Sequence, residues 1–153
     1  MLRGRGRKIV RQIYELTFDD VEKINSAIMA KRGGDKRGIA VAVVDAQGEL
    51  LSFFRTDDCP ISAVNIAINK AFTAARDRQE NQSLQQIAAT RGFHVTDLGD
   101  IRYTGLGGGV PVSYNRRIVG AVGVSGMAEE EDVALAKAGV EAVELPEEGA
   151  CSE

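Results

Sequence analysis

Gly105-Leu106-Gly107-Gly108-Gly109-Val110-Pro111-Val112-Ser113-Tyr114-Asn115-Arg116-Arg117-Ile118-Val119-Gly120-Ala121-Val122-Gly123-Val124-Ser125-Gly126 is the stretch on which the fold is read. Val110 to Tyr114 and Arg117 to Val124 are two strands around a tight Asn115-Arg116 turn, which makes a β-hairpin. The glycines before and within it admit positive φ and remove the Cβ, so that something approaches closely. A ligand, a neighbouring subunit and the chain's own sheet all satisfy that requirement, and the bare sequence leaves the three open.

Working outward, the same pattern occurs earlier. Ile39 to Val44 is β-branched, Asp45-Ala46-Gln47-Gly48 is turn chemistry, and Glu49 to Arg55 returns with Leu50, Leu51, Phe53 and Phe54, a first hairpin. Before it, Thr17-Phe18-Asp19-Asp20 offers a hydroxyl cap with acids in the first turn. Val21, Ile24, Ala27 and Ile28 then recur at helical spacing as far as Lys31-Arg32-Gly33-Gly34, where cations and glycine suit a helix end.

Between the hairpins, Asp58 is read as a helix cap with Pro60 near the first helical position, and a second helix runs to about Arg76. On it Ile61, Val64, Ile68, Ala71 and Ala75 form one apolar stripe, and Ala63, Ala67 and Ala74 form a small-residue stripe that permits close packing. Lys70 interrupts this surface, reaching a carboxylate, a carbonyl or an anionic ligand; a snorkelling or salt-bridged lysine is the plainer alternative. Asn81 to Thr90 reads as a third helix ended by Gly92, Phe93 to Thr96 alternates, and Asp97 to Tyr103 reads as a loop. A last helix starts near Glu129, buries Val133, Ala136, Val140 and Val143, and stops at Pro146. Helix, hairpin, two helices, hairpin, helix predicts an α+β fold, an antiparallel sheet with helices packed on it.

A chain of 153 residues suits one domain, with residues 15–145 as its body, a basic tail over 1–14 and an acidic tail over 146–153. Arg3, Arg5, Arg7, Lys8 and Arg11 precede the first acid, so they leave −8 on the remainder against a total of −3. That body repels phosphate, the basic run is short and lacks interleaved aromatics, and nucleic acid is therefore not the expected partner. Two distant cysteines provide neither a disulfide framework nor metal-ligand spacing, and no apolar run reaches the length of a membrane span. A cytoplasmic protein is expected.

The residue types exclude several chemistries. Gly105 to Gly109 leads into a strand with no Gly-Lys-Ser/Thr after it, which is not a phosphate loop. His94 is the only imidazole, and Ser125 in Gly123-Val124-Ser125-Gly126 is not a nucleophile elbow. Asp57 and Asp58 read as helix caps rather than as paired catalytic carboxylates.

Four strings, Ile39 to Gly48, Asn69 to Ala75, Gly107 to Val112 and Val119 to Gly126, with Asp132 beyond, together resemble the GlcG/HbpS-like family, which includes the C-terminal domain of PduO-type proteins. The resemblance covers roughly Thr17 to Val143. It implies a profilin-like antiparallel sheet flanked by helices, in a protein that assembles into homo-oligomers. It also implies haem as a cofactor for some members, bound or broken down with oxygen and an external reductant. Others accompany glycolate use or cobalamin-dependent diol and glycerol use. No axial ligand carries over; His94, Tyr103, Tyr114 and Met127 are the donors available. On this basis the expected ligand site lies between the second helix and the glycine-rich loop, with Lys70, Thr73, Gly107, Gly108, Gly109, Pro111 and Ser125 around haem, a related tetrapyrrole or another small molecule. The same glycines serve equally for tight subunit packing.

Overall fold

Alternation along the first hairpin sorts the interior into two unlike halves. The computed structural model describes residues 10–143, so the tail sequences before and after them, and Pro146, lie outside the described residues. In β1 (Ala40–Asp45), Val41 and Val43 point to one side and Ala40, Ala42 and Val44 to the other, all fully buried. β1 pairs antiparallel with β2 (Leu50–Arg55) through a turn at Gly48, φ +89°, where Asp45 Oδ1 accepts the N–H groups of Gln47 and Glu49 at 2.9 Å each. It pairs on its other side with β4 (Arg117–Ser125), which in turn pairs with β3 (Gly109–Tyr114). The sheet is antiparallel throughout, in the order β2-β1-β4-β3, with irregular register between Val43 and Val44 and between Val112 and Ser113.

The valine side carries the larger core. α1 (Phe18–Arg32) and α4 (Glu129–Glu141) cover it, bringing Val21, Ile24, Ile28, Leu135 and Ala136 onto Val41, Val43, Val122 and Val124. Fully burying an aliphatic side chain of this kind contributes about 1.5–3 kcal/mol. The expected hydroxyl cap of α1 is present: Thr17 Oγ1 accepts from Asp20 N at 3.2 Å while Asp20 Oδ2 accepts from Thr17 N at 2.8 Å. Gly139 gives the two helices room, since a Cβ there would meet Ile28 Cδ1 at 2.9 Å.

α2 (Ile61–Asp77) lies across the other side, where the small-residue stripe and the alanines of the apolar stripe face inward but the larger members of the apolar stripe do not. Ala63, Ala67, Ala71, Ala74 and Ala75 face the sheet, whereas Ile61 is 78% exposed and Val64 and Ile68 are half-buried. The reason is the surface beneath, built of Ala40, Ala42, Ala121 and Gly123. A Cβ on Gly123 would stand 2.1 Å from Ala67 O and 2.6 Å from Ala71 N, so helix backbone meets strand backbone and only the smallest side chains fit between.

Three local expectations need correction. Asp58 does not cap α2; Pro60 occupies that position without a side-chain hydrogen bond, and Asp58 sits in a turn at φ 60°. That turn is pressed against Gly38, whose Cβ would lie 2.2 Å from Cys59 N, so its backbone is fixed before the helix begins. The stretch read as alternating over Phe93 to Thr96 and as a loop from Asp97 instead contains a 3-10 turn, Val95–Leu98, which follows α3 (Asn81–Arg91), and Asp97 accepts the His94 N–H at 2.9 Å. In α4, Asp132, Leu135, Ala136 and Gly139 are buried, while Val133 and Val140 are only half-buried. None of the described helices is long and apolar enough to cross a membrane.

The contact at Gly123 predicts that Gly123→Ala costs about 3 kcal/mol or more, because two backbones must separate. Gly34→Ala, where a Cβ meets nothing within 4 Å, is expected to be neutral or stabilising by up to about 1 kcal/mol. Urea denaturation of the two variants against the unsubstituted chain checks both.

Candidate functional site

Lys70 stands in the middle of α2 with its whole side chain withdrawn from water. Its ammonium donates to Val124 O at 2.8 Å and to Asp132 Oδ2 at 3.0 Å, and the two side chains are 4% and 3% exposed. Asp132 belongs to the first turn of α4, on the opposite side of the sheet, and its second oxygen accepts Met127 N–H at 3.1 Å. Burial pushes the Asp132 carboxyl up from its ordinary value, opposed by the charge and hydrogen bond of Lys70 and by Met127 N–H. The lysine thus reaches a carboxylate and a carbonyl at once, the plainer of the two readings of its sequence position.

The glycine-rich loop makes this possible. Gly108, at φ +115°, passes so close that a Cβ would stand 2.9 Å from Lys70 Nζ and 2.7 Å from Val124 O. At Gly109 a Cβ would meet Lys70 O at 2.3 Å, and at Gly107 it would meet Glu129 Cγ at 2.7 Å. The loop and α2 are therefore neighbours, as expected, but protein atoms fill the space between them. Of the expected ligand residues, Lys70, Thr73, Gly107, Gly108, Gly109 and Ser125 are buried and Pro111 is half-buried in β3.

What these residues hold is the segment 81–109. Asn81, fully buried, donates from Nδ2 to Lys70 O and to Leu106 O, both at 3.2 Å, which ties the start of α3 and the loop to α2. Thr73 Oγ1 donates to Arg102 O at 3.4 Å and accepts Thr104 N–H at 3.0 Å. Beside it Phe72 meets Tyr103 edge-on at 5.4 Å and lies under the Arg102 guanidinium at 3.9 Å. Arg102 is clamped by Asp100 at 2.8 Å, and these hydrogen bonds hold the Asp100 carboxyl at about 2, below the ordinary 3.8.

The segment so anchored carries an open cleft. Between α3 and the 3-10 turn lies a cleft of about 490 Å³ whose walls include Ala88, Ala89, Gly92, Phe93, His94 and Val95. His94 is exposed, and no hydrogen bond or ion pair engages its imidazole among the described residues. The other donors are engaged in packing: Tyr114 meets Tyr14 edge-on at 4.6 Å, Tyr103 lies on Phe72, and Met127 packs against the core. Four exposed apolar side chains, Ile87, Leu98, Ile101 and Leu106, also lie on this segment. Among the described residues no three histidine, cysteine or acidic side chains gather as a metal cage. Sequence reasoning missed Asp132 as a buried partner, since four acids at a helix start read as dipole compensation, and it missed Asn81, which carried no signal beyond its place at a helix start.

Comparison with known proteins gives these features a family context. A family model described as "Haem degrading protein HbpS-like" matches residues 16–141. A Citrobacter freundii protein described as an uncharacterized 15.0 kDa protein in the dhaT-dhaS intergenic region is 34% identical over 131 residues, 83% of this chain and 91% of that protein. Among solved structures, HbpS, known from Streptomyces reticuli, superposes with a TM-score of 0.79 at 28% identity, covering 88% of this chain and 94% of its own. A PduOC:Heme complex superposes with a TM-score of 0.78 at 22% identity, covering 86% and 96%.

Two predictions follow from the anchoring contacts. Lys70→Met leaves the buried Asp132 without its cation and is expected to cost about 3–5 kcal/mol, of which adding Asp132→Leu restores a large part, as read by a urea double-mutant cycle. The Asp100 carboxyl, depressed in the folded chain, lends its pairing fully above the ordinary 3.8 and loses it as pH falls through about 2. A carboxyl-carbon NMR titration is expected to show Asp100 still ionised where unpaired aspartates are half protonated, and Arg102→Ala is expected to return it to the ordinary range.

Proposed function

The chain belongs to the HbpS-like family, and from that premise we propose that it is a homo-oligomeric binding protein for haem or a related tetrapyrrole. The observation that carries this reading is the coincidence of the chain's one imidazole with an open cleft floored by short side chains. Haem requires an apolar slot for the macrocycle and an axial donor for the iron. Ala88, Ala89 and Gly92 offer clearance, Phe93 and Val95 offer apolar contact, and His94 offers an exposed imidazole that no ion pair engages among the described residues. The residues present fit the group. Relatives support it as well: one solved structure of the same fold is a haem complex, and the family's own description names haem.

In this reading His94 ligates the iron, and the iron supplies redox chemistry when bound. Lys70, Thr73, Gly107, Gly108, Gly109, Pro111 and Ser125 act one layer behind, fixing the segment whose outer surface receives the guest. Exposed apolar Ile87, Leu98, Ile101 and Leu106 on the same segment are the surface that a second copy would cover. The family's description also favours a second reading, oxidative breakdown of the bound haem with an external reductant.

Titration with haem is expected to give a shifted Soret band with a stoichiometric endpoint, and His94→Ala is expected to abolish the shift while leaving the fold intact. Absence of a shift overturns the haem reading, and an unchanged spectrum in His94→Ala removes the ligand from this cleft. Decay of the band with ascorbate under oxygen, faster than in a protein-free control, selects breakdown over binding. Light scattering is expected to show an assembly larger than one chain.

A further inference from the structure

Two elements end on an arginine where their geometry calls for glycine. The β3–β4 turn holds Asn115 at φ 48° and Arg116 at φ 60°, a two-residue turn whose second position is ordinarily glycine. α2 is closed by Arg78 at φ 59°, the left-handed helix end that is again ordinarily glycine. In this conformation an L side chain crowds its own backbone, and the strain persists only when the surroundings hold it.

Both arginines line one cleft, of about 450 Å³, together with Arg11 and Arg117. The volume falls within the range of small-molecule sites, roughly 300–1,000 Å³. Arg117 donates to Gln12 O at 3.3 Å, which ties down the irregular segment before the first helix and with it the wall that carries Arg11. Two carboxylates, Glu15 and Asp45, share the lining, and Asp45 Oδ1 is occupied by the backbone N–H groups of its turn. Among the described residues none of the four guanidiniums is in an ion pair. On a chain of net charge −3 this is a local reversal of sign, built from groups whose planar forks match paired oxygens.

We propose that this cleft binds a small molecule bearing two or more clustered anionic oxygens, of the phosphate-ester or polycarboxylate kind, with Arg78 and Arg116 as its principal contacts. The site is separate from the His94 cleft and requires neither haem nor a second copy.

Calorimetric titration of the full chain with inorganic pyrophosphate and with citrate, at low and at high salt, tests it. Saturable binding is expected, weaker at high salt, and the tighter probe assigns the oxyanion class. Arg78→Gly and Arg116→Gly are each expected to weaken binding by about tenfold or more while raising the melting temperature, since each relieves a strained backbone. Arg55→Ala, an exposed arginine outside the cleft, is expected to bind as the unsubstituted chain does. No saturable binding of either probe, unchanged affinity in both glycine variants, or an equal loss in Arg55→Ala overturns the proposal.

Discussion

The approach of the α2 backbone to the sheet is the constraint on which the rest of the structure depends. Gly123 beneath Ala67 and Ala71 sets a separation that no larger side chain permits, and Ala40, Ala42 and Ala121 extend that shallow surface across two strands. With the helix so low, its larger aliphatic residues turn away from the sheet, and Ile61 faces solvent while Ile68 only half-packs. Lys70 is likewise brought near enough to the end of β4 for its ammonium to reach Val124 O and, past Gly108, the first turn of α4. One buried ion pair therefore links the two helical layers around the end of the sheet.

A buried pair of this kind is weak evidence for added stability, because desolvating both charges offsets most of their attraction. Its value lies in geometry. The lysine fixes where α4 begins and where the glycine-rich loop runs, and Asn81 and Thr73 extend the same fixing to segment 81–109. Lys70, Asp132, Asn81 and Thr73 thus serve inside as joints, and the cleft on the segment they position is lined mainly by small side chains with Phe93, Val95 and His94 among them.

The two hairpins and most helix limits were legible because each rests on local chemistry, whereas the order in which the strands pair was not read from the sequence. Thr17 with Asp20 is a cap in any context, and the two residues Asn115-Arg116 between two strand-forming runs mark a hairpin by their spacing alone. The nearness of Lys70 to Gly107, Gly108 and Gly109 was legible too, through motifs in register. The filling of the space between them was not. It depends on Asp132, sixty-two positions from Lys70, and on a helix lying at a height set by residues on three separate elements. The same reasoning covers α2: periodicity found both stripes, but which of their members face inward is decided by the partner surface, and glycine and alanine in a strand read simply as weak strand formers. His94 fell outside the motifs and stood apart only by being solitary.

One margin of the sheet is poorly suited to extending it. β3 is an edge strand, interrupted by Pro111 and by the register shift after Val112. A strand short of one amide hydrogen and locally kinked is a poor template for another strand. Association by continuous hydrogen-bonded ladders, the route to open-ended fibres, is thus discouraged at this edge. At this edge a neighbouring molecule would meet side chains rather than a free ladder.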